Sequence, residues 1–240
     1  MPSRALALLI ALVACNPPAT PIVEVPIAPA TPTRAELARA AYDANRTALE
    51  ARRTELAARL DAERDVVLAE ARKLVLDAIT DELMPAWDGT RWAFYGTTTT
   101  PGKGTIACGY YVSTLLEHAG FEVERVKLAQ QPSEHIVRTF TAKAQVRRFS
   151  NKPASDVIAE VERQGEGLYV LGLDYHAAML WNDGETVRMC HSSTLGTGGA
   201  ICEDALTSPA MESDYRVIGK LLDDRMVEAW LRGLAFPTYL

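Results

Sequence analysis

Metal-binding spacing is missing from this chain. Its four cysteines and four histidines include no Cys-x-x-Cys and no His-x-x-x-His pair, and zinc centres are normally built from such spacings, so a metal site is not expected. No other cofactor is implied. Basic charge is also in deficit. Against 31 Asp and Glu there are 25 Lys and Arg, a formal charge of −6, which argues against nucleic acid as a partner. No apolar run reaches the roughly 20 residues that a membrane-spanning helix needs. Finally, proline and glycine are absent from Arg34 to Leu83, where Ala, Leu, Glu and Arg dominate. That predicts a long helix with room for one break. Its seam of Leu56, Leu60, Val67, Leu74 and Ala78 is Ala-rich and narrow, favouring a helix packed on the following domain, or a solvated stalk, over a dedicated coiled coil.

At the amino terminus Arg4 precedes an apolar run from Ala5 to Ala11, followed by Leu12-Val13-Ala14-Cys15. This resembles the lipobox of a bacterial lipoprotein signal peptide, which implies acyl chains such as palmitate on a mature Cys15. Each buried methylene adds about 0.8 kcal/mol of membrane affinity, so the protein is expected to be anchored to the cell envelope without spanning a membrane. Asn16 after Cys15 is compatible with outer-membrane sorting. Asn16 to Thr33 carries Pro17, Pro18, Pro21, Pro26, Pro29 and Pro32 among small residues and reads as an extended spacer. The expected organisation is therefore a signal peptide at 1–14, a lipidated cysteine and Pro-rich linker at 15–33, a long helical region at 34–84 and the domain proper at 85–240, with Pro85 and Gly89 as punctuation.

Chemistry concentrates around Cys108. Tyr111, Val112, Leu115, Leu116 and Ala119 form a helical stripe that Cys108 opens and Gly120 closes. A thiol at a helix N-terminus meets N–H groups and a dipole that favour thiolate and can later receive an oxyanion. Downstream, Gly167 to Leu173 reads as a strand, His176 opens a second apolar strand, Asn182-Asp183-Gly184 is a turn, and Glu185 to Cys190 returns as a strand ending at His191-Ser192-Ser193. His118 and His135 read as surface residues, and Gln130 and Gln131 have no assigned role.

Tyr95-Gly96-Thr97, then Cys108-Gly109-Tyr110-Tyr111-Val112, then His176 and His191 on neighbouring strands resemble the NlpC-type family of papain-like bacterial cell-wall cysteine peptidases, over about Trp92 to Leu222. The resemblance implies an α+β, papain-like domain: N-terminal helices, with Cys108 on a central one, packed on an antiparallel sheet and preceded by the long helix. It further implies Cys108 as nucleophile, His176 as base, His191 as the residue orienting it, and the Tyr95 hydroxyl as an oxyanion or substrate contact. Asp174 replaces His191 as orienter only if a turn re-aims it. The implied function is a cysteine amidase or peptidase working through a thioester on peptidoglycan-type envelope peptides. Ala107 and Gly109 stand where the family has Asp and Ser, so the stem-peptide substrate does not transfer with the nucleophile. An acyltransferase or transglutaminase-like enzyme, and a catalytically inactive envelope-binding lipoprotein, are the alternatives. With Cys15 and Cys108 so used, Cys190 and Cys202 are the pair left for a disulfide across a Gly-rich loop; otherwise Cys190 is an unpaired strand residue.

Overall fold

The proline- and glycine-free stretch folds back on itself as a helical hairpin. A computed structural model describes residues 31–196 and 198–240; Cys15, the expected signal peptide and most of the linker lie outside the described residues. Helix α1 spans Arg34–Arg59 and α2 spans Arg64–Asp77. Thr33 starts α1 with a reciprocal capping box to Glu36. The turn between the helices keeps every residue at negative φ, so it needs no glycine, and Arg59 bridges it by pairing with both Glu63 and Glu70. The expected single break is thus at residues 60–63. Leu56, Leu60, Val67 and Ala78 of the seam are buried, whereas Leu74 is half-buried.

Pro85 does not stop the helix. The chain passes from α2 through a π-helical turn, Ala78–Leu83, into α3, Met84–Trp87. The wider turn accommodates a residue that lacks an N–H and crowds the preceding carbonyl. The stop comes at Asp88-Gly89 instead, where Gly89 takes a φ of 72°. Trp87 is fully buried, and its side chain belongs to the same apolar core as Tyr42, Tyr111 and Met179, so the helical region packs directly on the rest of Pro32–Leu240.

The remaining elements are β1 (Arg91–Trp92), β2 (Thr105–Ile106), α4 (Cys108–His118), β3 (Glu122–Val123), α5 (Arg125–Ala129), α6 (Ser133–Phe140), β4 (Arg147–Ser150) and α7 (Ala154–Gln164), then β5 (Gly167–Leu173), β6 (Ala177–Asn182), β7 (Val187–Ser192), β8 (Ala200–Asp204), β9 (Tyr215–Lys220), α8 (Asp224–Leu231) and β10 (Ala235–Phe236). Six strands form one antiparallel sheet in the order β4-β9-β5-β6-β7-β8. This is an α+β fold.

Both faces of the sheet are covered, and the period-2 alternation assigns them. Leu168, Val170, Ala177, Met179 and Cys190 face the core shared with α1, α2 and α4, while Tyr169, Leu171, Ala178, Leu180 and Met189 face α7 through Val157 and Val161. Covering on two faces explains why these strands read as near-continuous apolar runs. The β6–β7 turn is longer than the three residues expected, running over 183–186, because the Asp183 carboxylate accepts the Glu185 and Thr186 N–H groups. Among the described residues no helix is long and apolar enough to cross a membrane.

Candidate active site

Cys108 is the first residue of α4, an 11-residue helix whose Ala107 cap contributes no side-chain hydrogen bond. Close backbone approaches fix its position. A Cβ on Gly96 would come within 2.6 Å of the Ile106 nitrogen, and a Cβ on Gly109 within 2.2 Å of the Ala129 carbonyl oxygen. Only glycine fits either place without a backbone shift. On the sheet side, Ser192 Oγ donates to the Ile106 carbonyl at 2.8 Å, tying the approach to α4 to the end of β7.

The two downstream histidines come together. His176 lies one residue before β6, at a two-residue turn closed by the Leu173 N–H to the His176 carbonyl. In the β6–β7 register His191 is placed beside Ala178 and diagonal to His176. Their rings meet at 2.8 Å, His176 Nε2 to His191 Nδ1. The next diagonal, across to β8, brings His191 Nε2 to 3.1 Å from Glu203 Oε1. Ser208 Oγ donates to that same carboxylate oxygen.

These contacts determine the tautomers. The Glu203 carboxylate only accepts, so His191 carries its proton on Nε2 and presents a bare Nδ1. His176 must then donate from Nε2, which leaves the lone pair of its own Nδ1 unused. Burial, followed by repulsion from His191, pulls His176 down to about 3, so its imidazole is neutral at pH 7, with Nδ1 free to accept a hydrogen bond but weakened as a base. Burial also lowers His191, with Glu203 acting in the opposite direction. Glu203 and Ser208 were not singled out in the sequence. The signal was present only indirectly, as an acid next to Cys202.

Cys190 and Cys202 form a disulfide with Cα atoms 4.0 Å apart, at directly facing positions of β7 and β8. The bond sits on the opposite sheet face from the His191–Glu203 diagonal and holds the register that creates it.

A cavity of about 1050 Å³ opens at this end of the sheet, and both Cys108 and His176 line it. They meet as two of its walls. Among the described residues no thiol–imidazole hydrogen bond joins them, and Cys108 is the free cysteine. Tyr95 also borders the cavity, 88 % exposed and stacked edge-on against Phe94. Gln130 and Gln131 line it as well; Gln130 donates to the Tyr110 hydroxyl at 3.2 Å. Asp174 does not reach the histidines. Its carboxylate accepts from Ser213 Oγ and the N–H groups of Asp214 and Tyr215, bracing the loop before β9.

The other two histidines depart from their expected surface positions. His118 is 7 % exposed, because it lies on the apolar side of α4 against α1. Trp87 Nε1 donates to the Tyr42 hydroxyl at 2.8 Å, and that hydroxyl spends its one hydrogen on His118 Nδ1 at 2.9 Å. Burial lowers His118 to about 4. His135 is half-buried beneath the edge of Tyr239, the rings 5.1 Å apart. Among the described residues no group of three His, Cys, Asp or Glu side chains could hold a metal ion. Comparison with protein-family models, with curated proteins and with solved structures finds no match to this chain.

Proposed function

We propose that this protein is a cysteine acyl-transfer enzyme of papain-like, NlpC type, which cleaves an amide bond through a thioester on Cys108 at the bacterial cell envelope, held there by lipid on Cys15. The observation that carries the reading is the Glu203–His191–His176 chain, which keeps a neutral imidazole with an unused nitrogen at a cavity that Cys108 also lines. As substrate enters, the Cys108 thiol gives its proton to His176 Nδ1 and Sγ attacks the carbonyl carbon. Among the described residues no hydrogen bond joins the Cys108 thiol to His176, so the reading requires substrate binding to bring the two walls of the cavity together, as catalytic hydrogen bonds often tighten on binding. The uncapped N–H groups at the start of α4 receive the oxyanion. Tyr95, exposed and unanchored, is assigned to substrate contact rather than to that role. His176 then returns the proton to the departing amine. Water, activated by the same nitrogen, releases the acyl group and restores the thiol.

The test uses the full chain with p-nitrophenyl acetate, following acetylation of Cys108 by mass spectrometry and peptide mapping. Wild type should acylate at Cys108, and His176→Ala should slow the step by about 10²–10⁴-fold. Equal rates in the two proteins, or an inert Cys108 in a folded chain with its disulfide intact, would rule the reading out. Glycine amide as a competing acceptor separates transfer from hydrolysis, through the ratio of amide to free acetate.

A further inference from the structure

The cavity is larger than acyl transfer requires. Small-molecule sites run to about 300–1,000 Å³, and this one reaches about 1050 Å³, so most of its volume lies beyond the reacting carbonyl. What lines that volume is apolar and aromatic: Trp92, Phe94, Tyr95, Tyr110, Tyr175 and Leu195. Four of these are held out towards solvent, Phe94 at 71 %, Tyr95 at 88 %, Tyr175 at 99 % and Leu195 at 46 % exposure. Leaving large apolar side chains in water is unfavourable, and a cluster of them around one opening marks a surface that something covers.

Charge narrows what that is. The acidic side chains lining the cavity are Asp174, Glu212 and Asp214, and neither Lys nor Arg is among its walls. Arg125 stacks on Tyr110, 5.0 Å from its ring centroid, but its guanidinium bonds Thr114 and the Thr97 carbonyl. A substrate bearing free carboxylates, as envelope stem peptides do, would therefore meet three like charges and no counter-charge. A neutral hydrocarbon chain meets neither penalty and buries the exposed rings.

We infer that the acyl group transferred at Cys108 is a neutral, apolar chain of about eight carbons or more, presented as an amide or ester, with the chain lying along the Phe94–Tyr95–Tyr175–Leu195 walls. This rests on the acyl-transfer reading above. The step balances without any further reactant: the new C–S bond replaces C–N or C–O, and the thiol proton passes through His176 to the leaving amine or alcohol. Water then cleaves the thioester to a free carboxylic acid and the regenerated thiol.

Two measurements on the full chain test this, the second of them independently of the nucleophile. In the first, p-nitrophenyl acetate, butanoate, hexanoate and octanoate are compared by kcat/KM. Full burial of a methylene is worth about fourfold, so octanoate should exceed acetate by at least tenfold, and the double variant Phe94→Ser, Leu195→Ser should reduce that ratio. In the second, octanamide, butanamide and the octanamide analogue with a terminal carboxylate are titrated into Cys108→Ala. Octanamide should bind at least tenfold more tightly than either of the others. A flat chain-length series, or a carboxylate analogue binding as well as octanamide, overturns the inference. An inert Cys108 beside selective octanamide binding would instead sink the acyl-transfer reading and leave the cavity's chain preference standing.

Discussion

Two buried histidine networks lie in this molecule, and they end differently. In the helical region Trp87 donates to Tyr42 and Tyr42 to His118, so the chain of donors closes on an imidazole sealed in the core. At the sheet end the order is reversed: Glu203 sets His191, His191 sets His176, and the last acceptor nitrogen is left over beside a cavity. Both terminal imidazoles are pulled below their usual value of 6.5, His118 to about 4 and His176 to about 3, and desolvation is the main cause in each. A depressed imidazole is therefore no mark of function by itself. What distinguishes the sheet end is that its network is open.

Removing each terminal ring separates the two networks most clearly. His176→Ala should cost about 10²–10⁴-fold in Cys108 acylation and little in stability, because it lies at the open end. His118→Ala should do the reverse. It leaves the Tyr42 hydroxyl without its acceptor in a closed core, a loss of about 2–3 kcal/mol in denaturant unfolding, with the acylation rate of the folded fraction unchanged. Equal loss of activity in both variants would mean that the two networks are not separable.

The closed network also has a pH signature. A histidine whose folded value lies below its unfolded one stays neutral while the unfolded chain takes up a proton, so stability is complete above pH 6.5 and is lost as pH falls towards the folded value. For His118, with a folded value of about 4, the loss approaches about 3 kcal/mol by pH 4. His118→Gln removes this titration while keeping an acceptor for Tyr42, so its stability should fall less steeply between pH 6.5 and 4 than that of the wild type. Parallel curves would show that His118 protonates in the folded chain as readily as in the unfolded one, so that its folded value is not depressed.

Between the two networks in expected size stands the strand β8 staple. Replacing Cys190 and Cys202 by Ser should lower stability by about 3 kcal/mol in the chain-entropy model, and by loosening the β7–β8 register it should also slow acylation. Glu203→Gln acts on the same diagonal without touching the staple. The neutral amide can donate to His191 Nε2 as readily as its oxygen can accept from it, so the tautomers of His191 and His176 are no longer pinned by a carboxylate, and acylation should fall about tenfold or more with unfolding nearly unchanged. If the Gln variant keeps full activity, the tautomer chain is not what readies His176.

Much of the sheet was readable in advance because its strands are continuous apolar runs, and Cys108, His176 and His191 stood out by residue type and order. Glu203 did not, because its role comes from a diagonal across two strands, and a Gly-rich stretch hid the strand that carries it. The turn at residues 60–63 has no location in the sequence pattern, which allows only one break somewhere in the long helix, since the turn keeps negative φ throughout and uses neither proline nor glycine. Pro85 misled for the converse reason, a π-helical turn having made room for it. His118 looked exposed because histidine is polar, yet it falls on the apolar face of α4, where only the tertiary partner Tyr42 makes burial tolerable.

The smallest expected effect tests whether openness is itself the functional feature. Ala107 has the extended backbone of a helix cap, φ −85° and ψ 163°, but offers α4 no side-chain acceptor. Ala107→Asp would supply one to the N–H of Gly109 or Tyr110, stabilising the helix by about 1 kcal/mol and raising Tm by about 2–4 °C. The family that this segment resembles carries Asp at this position, but if in this chain the N–H groups that the carboxylate would occupy are the ones that receive the oxyanion, acylation of Cys108 should fall several-fold. Thermal unfolding and the acetylation rate, measured together, should move in opposite directions. If the Ala107→Asp variant raised both, the start of α4 would be an ordinary unsatisfied helix end and the oxyanion would have to be held elsewhere, with the Gln130 amide, already at the cavity wall, as the next donor to remove.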